Sequence, residues 1–448
     1  MKPIRHTLVA AALCALSTSG FAAITAAEAE RLTTDLTPNG AERAGNKDGT
    51  IPAWTGGIGK PPAGWKPEMG YTDPFAAEKP LFTITAANAE QHKDKLSPGM
   101  LAMLKKYPNF AMPVYPSHRS FSNPQEVYDA TKAQATKVAL EGLSLRNYNL
   151  PGTPFPIPKT GVEAILNQEL RWYGAYNRCA EWLPVRADGS FYRVGFCEDL
   201  VQGQNIEPRQ GNNHLFSFFG YYDAPATLVG TIYLVHDPID FTTAERQAWV
   251  YNAGQRRVRR APNIAYDNIE DGTEGMRITD DYNGYNGALD RYDYKLVGKR
   301  EMYIPYNGYK LHDARLKYTD MLDKGSIKSE LMRYELHRVW VVEATLKSGM
   351  SHVYAKRTFY LDEDSYLVAM QDAYDSRGNL WRAYLNPPLQ AYDGNSMFLS
   401  AFIAHDLTNG NYIVTGLTNE RKQPAYKWNA KAKWDDFQVD AMRRRGTR

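Results

Sequence analysis

The chain has 448 residues, 53 basic and 50 acidic side chains, and a hydrophobic content of 43%. So even a balance argues against a general binder of nucleic acid or anionic membrane, which needs a clear basic excess. Length and apolar content suffice for one large buried core.

Residues 1–22 read as a secretory leader: Lys2 and Arg5 open it, an apolar run follows from Thr7 to Leu16, and small residues close it at Ala22. The run is too short to span a bilayer, and no later stretch reaches the ~20 apolar residues of a membrane helix. Leu13 stands where lipid-modifying cleavage before Cys14 requires a small residue, which weighs against a lipidated terminus. The expected location is a Gram-negative periplasm, with no integral membrane segment. Loss of residues 1–22 removes no acid and leaves 51 basic against 50 acidic side chains.

The rest, 23–448, reads as a single domain in three stretches. Residues 23–175 form a helical and extended wrapping region, for 17 of the 26 prolines fall in the first 160 residues. Two helix starts stand out by capping-box spacing, Asn123 with Glu126 and Thr160 with Glu163. After the second, Val162, Ile165, Leu166, Leu170 and Tyr173 recur at helical spacing, as a core or lid face.

Residues 176–420 read as an antiparallel β-sheet, because the period switches to two and Tyr, Val, Trp and Thr dominate. Cys179 and Cys197 flank an Asp188-Gly189 turn signal, so a hairpin would bring them opposite each other. A disulfide fits an oxidising compartment; two buried thiols are the alternative. Further on, Asn252-Ala253-Gly254-Gln255 reads as a hairpin tip followed by Arg256, Arg257, Arg259 and Arg260. Alternation puts Arg256, Val258 and Arg260 on one face and Arg257 and Arg259 on the other. One pair is expected on the solvated side. The other either satisfies buried carboxylates or holds the anionic head of a cargo.

Three strands carry an apolar face with one arginine in it: 292–304 with Leu296 and Arg300, 334–346 with Arg338, Trp340 and Val342, and 353–361 with Arg357 and Phe359. A sheet this long must curl, close or be covered. Its greasy face is either a solid core or the lining of a cavity for an apolar ligand. Residues 421–448 form a C-terminal helix or tail ending in Arg443, Arg444 and Arg445. That basic end either complements its helix dipole or docks on a surface.

Motifs for chemistry are lacking. There is no G-x-S-x-G or S-x-x-K, and Pro61 spoils the faint phosphate-loop look of Gly56 to Lys60. His214, His236, His312, His337, His352 and His405 show no H-x-x-x-H pair, and no metal site or cofactor is expected. The acidic runs 270–274 and 362–365 lack calcium-loop spacing and read as solvated hairpin tips. Dispersed carboxylates leave no signature, so a hydrolase stays open.

Several long segments resemble the domain-of-unknown-function 1329 (DUF1329) family: "LTPNGAERAGNKDGTIPAWTGG", "PFPIPKTGVEAILNQELRWYG", "QRRVRRAPNIAYD" and "YELHRVWVVEATLKSGMSHVYAKRTFYLDEDSY". The family is similar to outer-membrane lipoprotein-sorting proteins. That resemblance implies a large curved antiparallel sheet, an incomplete barrel covered by N-terminal helices and Pro-rich wrapping segments, around a hydrophobic cavity. It also implies an apolar cargo and an exporter of the resistance-nodulation-division type with an outer-membrane partner; no catalytic residue comes with it. The resulting expectation is a periplasmic carrier or chaperone of a lipid-like molecule. Leu296, Trp340, Val342 and Phe359 would line its cavity, with Arg338, Arg357 and the arginines 256–260 near polar groups. The alternatives are a structural or assembly partner of an envelope exporter and a periplasmic hydrolase.

Overall fold

A computed structural model describes residues 23–261, 264, 266–428 and 431–446; the expected leader lies outside them. The helices are short: α1 (Ala26–Glu30), α2 (Pro98–Lys106), α3 (Gln125–Gln134), α4 (Gly161–Glu169), α5 (Tyr318–Met321) and α6 (Val439–Gly446). The first strands are β1 (Phe82–Ile84), β2 (Met112–Val114), the small hairpin β3 (Ala139–Glu141) and β4 (Ser144–Arg146), then β5 (Ala175–Val185), β6 (Val194–Gln202), β7 (Ile206–Glu207), β8 (Phe216–Ala224), β9 (Ile232–Asp237), β10 (Gln247–Asn252) and β11 (Arg257–Arg260). The second run is β12 (Tyr292–Pro305), β13 (Tyr334–Leu346), β14 (Lys356–Asp362), β15 (Val368–Tyr374), β16 (Leu380–Leu385), β17 (Pro388–Ala391), β18 (Ser396–Leu399), β19 (Phe402–Asp406), β20 (Tyr412–Leu417), β21 (Tyr426–Trp428) and β22 (Ala432–Lys433).

The protein is mainly β, built on a 16-stranded sheet that does not close into a barrel. Two meanders make it. One runs β5-β6-β8-β9-β10-β11 and the other β12-β13-β14-β15-β16-β19-β20, and they join where β20 pairs with β5. Within this sheet the pairings are antiparallel except for the contact of β2 with β13; outside it β7 and β22 also pair in parallel. This order has a consequence for the chain. β11 and β12 follow one another in sequence but lie at opposite edges of the sheet, so the connection between them, described at 261, 264 and 266–291, crosses a whole face.

We call the crossed face inner. The registers Val342↔Phe359, Phe359↔Gln371 and Gln371↔Tyr384 run it through one meander. Ala180↔Phe196, Phe196↔Tyr222, Phe218↔Val235 and Val250↔Arg259 continue it through the other. Over β12 and β13 the inner face is covered by α4, whose Ala164, Ile165 and Leu166 join the cluster of Val342, Ala344, Phe359 and Leu361. Helix α4 starts where the sequence says. Thr160 accepts from the Glu163 N–H, and the Glu163 carboxylate accepts in return from the Thr160 N–H. Helix α3 also forms, but Pro124 rather than Asn123 is its N-cap and no side chain caps it. The outer face is covered as well, by α2 over β15 and β16, by the segment around α5 beside β19 and β20, and by α6 over β9 and β10.

Coverage on both faces overturns two expectations. The acidic run 362–365 is not a solvated tip: Asp362, Glu363, Asp364 and Ser365 are all buried. It anchors the N-terminal wrap. Arg119 grips Asp364 through Nε at 2.9 Å and Nη2 at 2.6 Å, and Glu363 accepts from the Glu42 N–H and from Lys299. Nor does strand 292–304 keep one face. A β-bulge between Leu296 and Gly298 shifts its register against β13, and a one-residue shift reverses every later side chain. Tyr292, Tyr294 and Leu296 pair on the inner face, while Met302 and Ile304 enter the outer core. Gly298 makes this possible, with a φ of +129° that a residue bearing Cβ resists.

Candidate ligand-binding site

The strand-period residues of the first meander put a row of aromatics on the inner face. Trp182 on β5 stacks on Phe196 of β6 at 4.6 Å between ring centroids, and Phe196 meets Tyr222 of β8 edge-on at 5.0 Å. Gly220 sits among them because a Cβ there would lie 2.5 Å from Phe196 and 2.6 Å from Phe218. The Cys179–Cys197 disulfide ties β5 to β6 beneath this row, at the directly paired position expected of the hairpin.

The crossing connection forms the opposite wall. Ile264 and residues from Asn268 to Asn286 lie over Trp182, Phe196, Phe218, Tyr222, Tyr233 and Val235 and leave a cavity of about 100 Å³. Buried polar contacts fix the connection at three places on the sheet. Arg246 holds Asp237 at 2.8 Å and donates to the Ile264 and Asn286 carbonyls. Arg357 bridges Asp280 at 2.7 Å and Asp281 at 2.8 Å. Arg382 donates to the Gly275 carbonyl at 2.7 Å. Inside the cavity Arg277 pairs with Glu270 at 2.9 Å and lies over the rings of Trp182, Tyr282 and Phe402. Burial pushes the Glu270 carboxyl up to about 7, against the pull of Arg277 and with help from Asp281, Glu198 and Asp271.

Two polar chambers adjoin the aromatic cavity. One, of about 260 Å³, shares Arg246 and Asn286 with it and is lined by Glu169, Asp237, Glu245 and Asp290. Burial holds the Glu169 carboxyl well above its ordinary range. The other, of about 30 Å³, shares Arg277 and Tyr282 with the cavity and also presents Arg171 and Arg178.

The site residues read from sequence are spread over the fold. Val342 and Phe359 are fully buried, 0% exposed, and pack with Leu296 and Trp340 beneath α4, where the face is solid. Arg357 reaches Asp280 and Asp281, whereas Arg338 donates to the Ala44 carbonyl and lies 3.6 Å from both Glu42 and Glu363. The arginines 256–260 lie at the far edge of the sheet from both. All four are exposed. Arg256 is in the turn, with a φ of +50°, rather than on a strand face. Arg257 and Arg259 do fall on the inner side and Arg260 on the outer, over the Trp249 ring, but none of the four makes an ion pair with a described residue. The run 270–274 lies within the crossing connection in a small turn closed by the antiparallel bridge Ile269↔Ile278, with Asp271 and Glu274 exposed as expected of a tip, but Glu270 faces the cavity. His337, Asp362 and Asp364 place ligand atoms within 4.8 Å of one another. Asp364 is also gripped by Arg119, and His337 lies 3.0 Å from Glu335 and 3.8 Å from Asp362.

Sequence reading missed Trp182, Phe196, Phe218, Tyr233, Arg277 and Tyr282. Phe196 and Tyr233 had a signal, since they alternate within strand-like segments, and Trp182 lies in the Cys179–Cys197 hairpin, whereas Phe218 lies in a strand, Phe216–Ala224, that no segment singled out. Arg277 and Tyr282 had none, as 264–286 carries no period.

Residues 83–443 match the family described as "Protein of unknown function (DUF1329)". The chain belongs to the DUF1329 family. It is 45% identical to the uncharacterized protein PA3922 of Pseudomonas aeruginosa over all of this chain and 99% of that one. A DUF1329 protein of Desulfovibrio piger is similar in structure, with 15% identity and a TM-score of 0.41 over 62% of this chain and 95% of that one. A LolA-superfamily protein of Nitrosomonas europaea is similar with 13% identity and a TM-score of 0.39 over 63% of this chain and all of that one. No helix among the described residues is long and apolar enough to cross a membrane.

Proposed function

We propose that this DUF1329 protein is a periplasmic carrier or chaperone of a lipid-like or other apolar molecule, and that its cargo enters the aromatic cavity between β5–β9 and the crossing connection. The observation that carries this reading is the cavity itself: ring faces from four strands stand opposite an irregular segment held down by three arginines. Apolar walls with a few placed polar groups are what small-molecule sites offer. At about 100 Å³ the cavity takes a short apolar group, so a longer cargo requires residues 264–286 to move aside. The disulfide supports an oxidising compartment, as does the leader-like start of the sequence.

The test is mass spectrometry of organic extracts from protein purified out of its native periplasm, wild type beside Val235→Trp, which fills the cavity from β9. An apolar molecule should accompany the wild type at near-stoichiometric amount and fall several-fold in the variant. Extracts without any such molecule, together with no binding of a medium-chain alcohol, would overturn the reading. An envelope exporter or outer-membrane protein recovered by crosslinking in its place would favour an assembly role.

A further inference from the structure

The small chamber beside the aromatic cavity is unlike the other polar sites of the inner face. Elsewhere Arg357 has Asp280 and Asp281, Arg246 has Asp237, Arg178 has Glu198 at 2.6 Å and Arg277 has Glu270, while Arg382 spends its donors on the Gly275 and Met276 carbonyls and the Tyr354 hydroxyl. Arg171 makes no ion pair with a described residue. It is 6% exposed, and its one side-chain hydrogen bond runs from Nη2 to the Asn283 amide oxygen at 2.5 Å. Its Nε and Nη1 have no hydrogen-bond partner, nor does the Nε of Arg277 across the chamber. No carboxylate stands in the chamber wall, which adds Tyr173, Tyr176 and Tyr282 to the three arginines. Counting Glu198 and Glu270 behind them, three guanidinium groups face two acids. A buried cation without a counter-ion is costly, and unmet N–H donors add to the cost. A planar fork of donors matches an oxyanion.

We propose that Arg171, with Arg277 and Arg178, forms an oxyanion site, and that it receives the carboxylate or phosphate head of the amphiphile whose apolar part occupies the aromatic cavity. This rests on the cargo reading above and adds the sign of the head. The chambers adjoin at Arg277 and Tyr282, which line both, so a molecule with a head in one and a tail in the other passes between these two side chains. At about 30 Å³ the chamber suits a carboxylate or one edge of a phosphate, not a sugar or choline group. The larger chamber, whose one arginine, Arg246, is already paired with Asp237, is lined besides by Glu245 and Asp290 and offers such a head no free guanidinium.

Calorimetric titration with octanoate, octanol and octylamine tests this, with acetate and inorganic phosphate as free anions, on wild type, Arg171→Gln and Arg171→Lys. In wild type, octanoate should bind at least ten-fold tighter than octanol, and octylamine no tighter than octanol. Arg171→Gln should abolish the preference for octanoate and leave octanol unchanged; Arg171→Lys, which keeps the charge and loses the fork, should keep part of it. Acetate or phosphate binding to wild type but not to Arg171→Gln would make the site one for free anions as well as heads. Equal affinity for octanoate and octanol in wild type, or a preference surviving in Arg171→Gln, overturns the oxyanion site while the apolar cavity stands. If no C8 compound binds, the cargo reading itself fails, and the response to acetate and phosphate alone decides the anion site.

Discussion

The two meanders share one inner face, yet one half is solid and the other holds cavities. Over β12–β14 the cover is α4, whose Ala164, Ile165 and Leu166 interdigitate with Val342 and Phe359. Over β5–β9 the cover is the irregular connection, which presents backbone carbonyls and charged groups to a row of rings. A regular helix offers an apolar stripe that fills the pleats of a sheet. A segment without period must satisfy its own polar backbone first, and it leaves gaps where its side chains do not match the rings. The nature of the cover, rather than the apolar character of the strands, decides where a cavity forms.

That difference is broken most severely at Arg357. It is fully buried, and its loss leaves Asp280 and Asp281 as buried carboxylates without a guanidinium. Arg357→Leu should cost about 3–5 kcal/mol in urea unfolding. Arg171→Leu in the cavity half strands no carboxylate and should cost far less; equal losses would show that the chambers do not differ in charge balance. Next come the phenylalanines. Phe359→Ala, in the solid half, should cost about 3–5 kcal/mol as a cavity opens. Phe218→Ala should cost about half as much, because that ring already borders space. Both are read as shifts in denaturation midpoint at unchanged slope.

Period-two strands, the Asp188-Gly189 hairpin with its cysteines and the Thr160 capping box were readable because each depends on neighbours in sequence. What eluded reading depends on neighbours in space. The bulge at Leu296–Gly298 flips half of β12, and its sequence signal is a single glycine. Asp362 to Ser365 looked solvated because nothing local announces Arg119, over two hundred residues away, as the partner of Asp364. The pairing of β20 with β5 sends 261–291 across the inner face, and no feature of that segment encodes the crossing. Trp340, Val342, Phe359 and Leu296 share the face with the cavity, but the wall was set by a cover that pattern reading could not place.

Glu270 sharpens the comparison through pH. Its carboxyl stands at about 7 when folded against an ordinary 4.5, so the folded state holds a proton that the unfolded state releases between those values. The associated stability is complete below the lower value and is lost as pH rises through the upper one. Between pH 5 and 8 the wild type should therefore lose roughly 1–3 kcal/mol relative to Glu270→Gln, whose amide does not titrate. A variant whose pH slope matches that of the wild type would show Glu270 ionised throughout and the cavity wetter than its walls suggest.

The smallest effect on stability is expected at the edge strand β11. Arg257 and Arg259 are exposed and pair with no carboxylate among the described residues, so converting both to Gln should change stability by no more than about 0.5 kcal/mol. Their role on this reading is to keep an unpaired strand from pairing with another molecule, which charged side chains on an edge do well. The double variant should thus unfold like the wild type and yet scatter more light on concentration at low salt. Converting Arg256 and Arg260 should have a weaker effect, since Arg256 lies in the turn and Arg260 covers Trp249. Arg259 stands opposite Val250, which stands opposite Tyr233 in the cavity wall, so octanoate titration of the same variants separates the two uses of this edge. An unchanged octanoate affinity leaves the head to Arg171, whereas a several-fold loss would move part of the anion's path to β11.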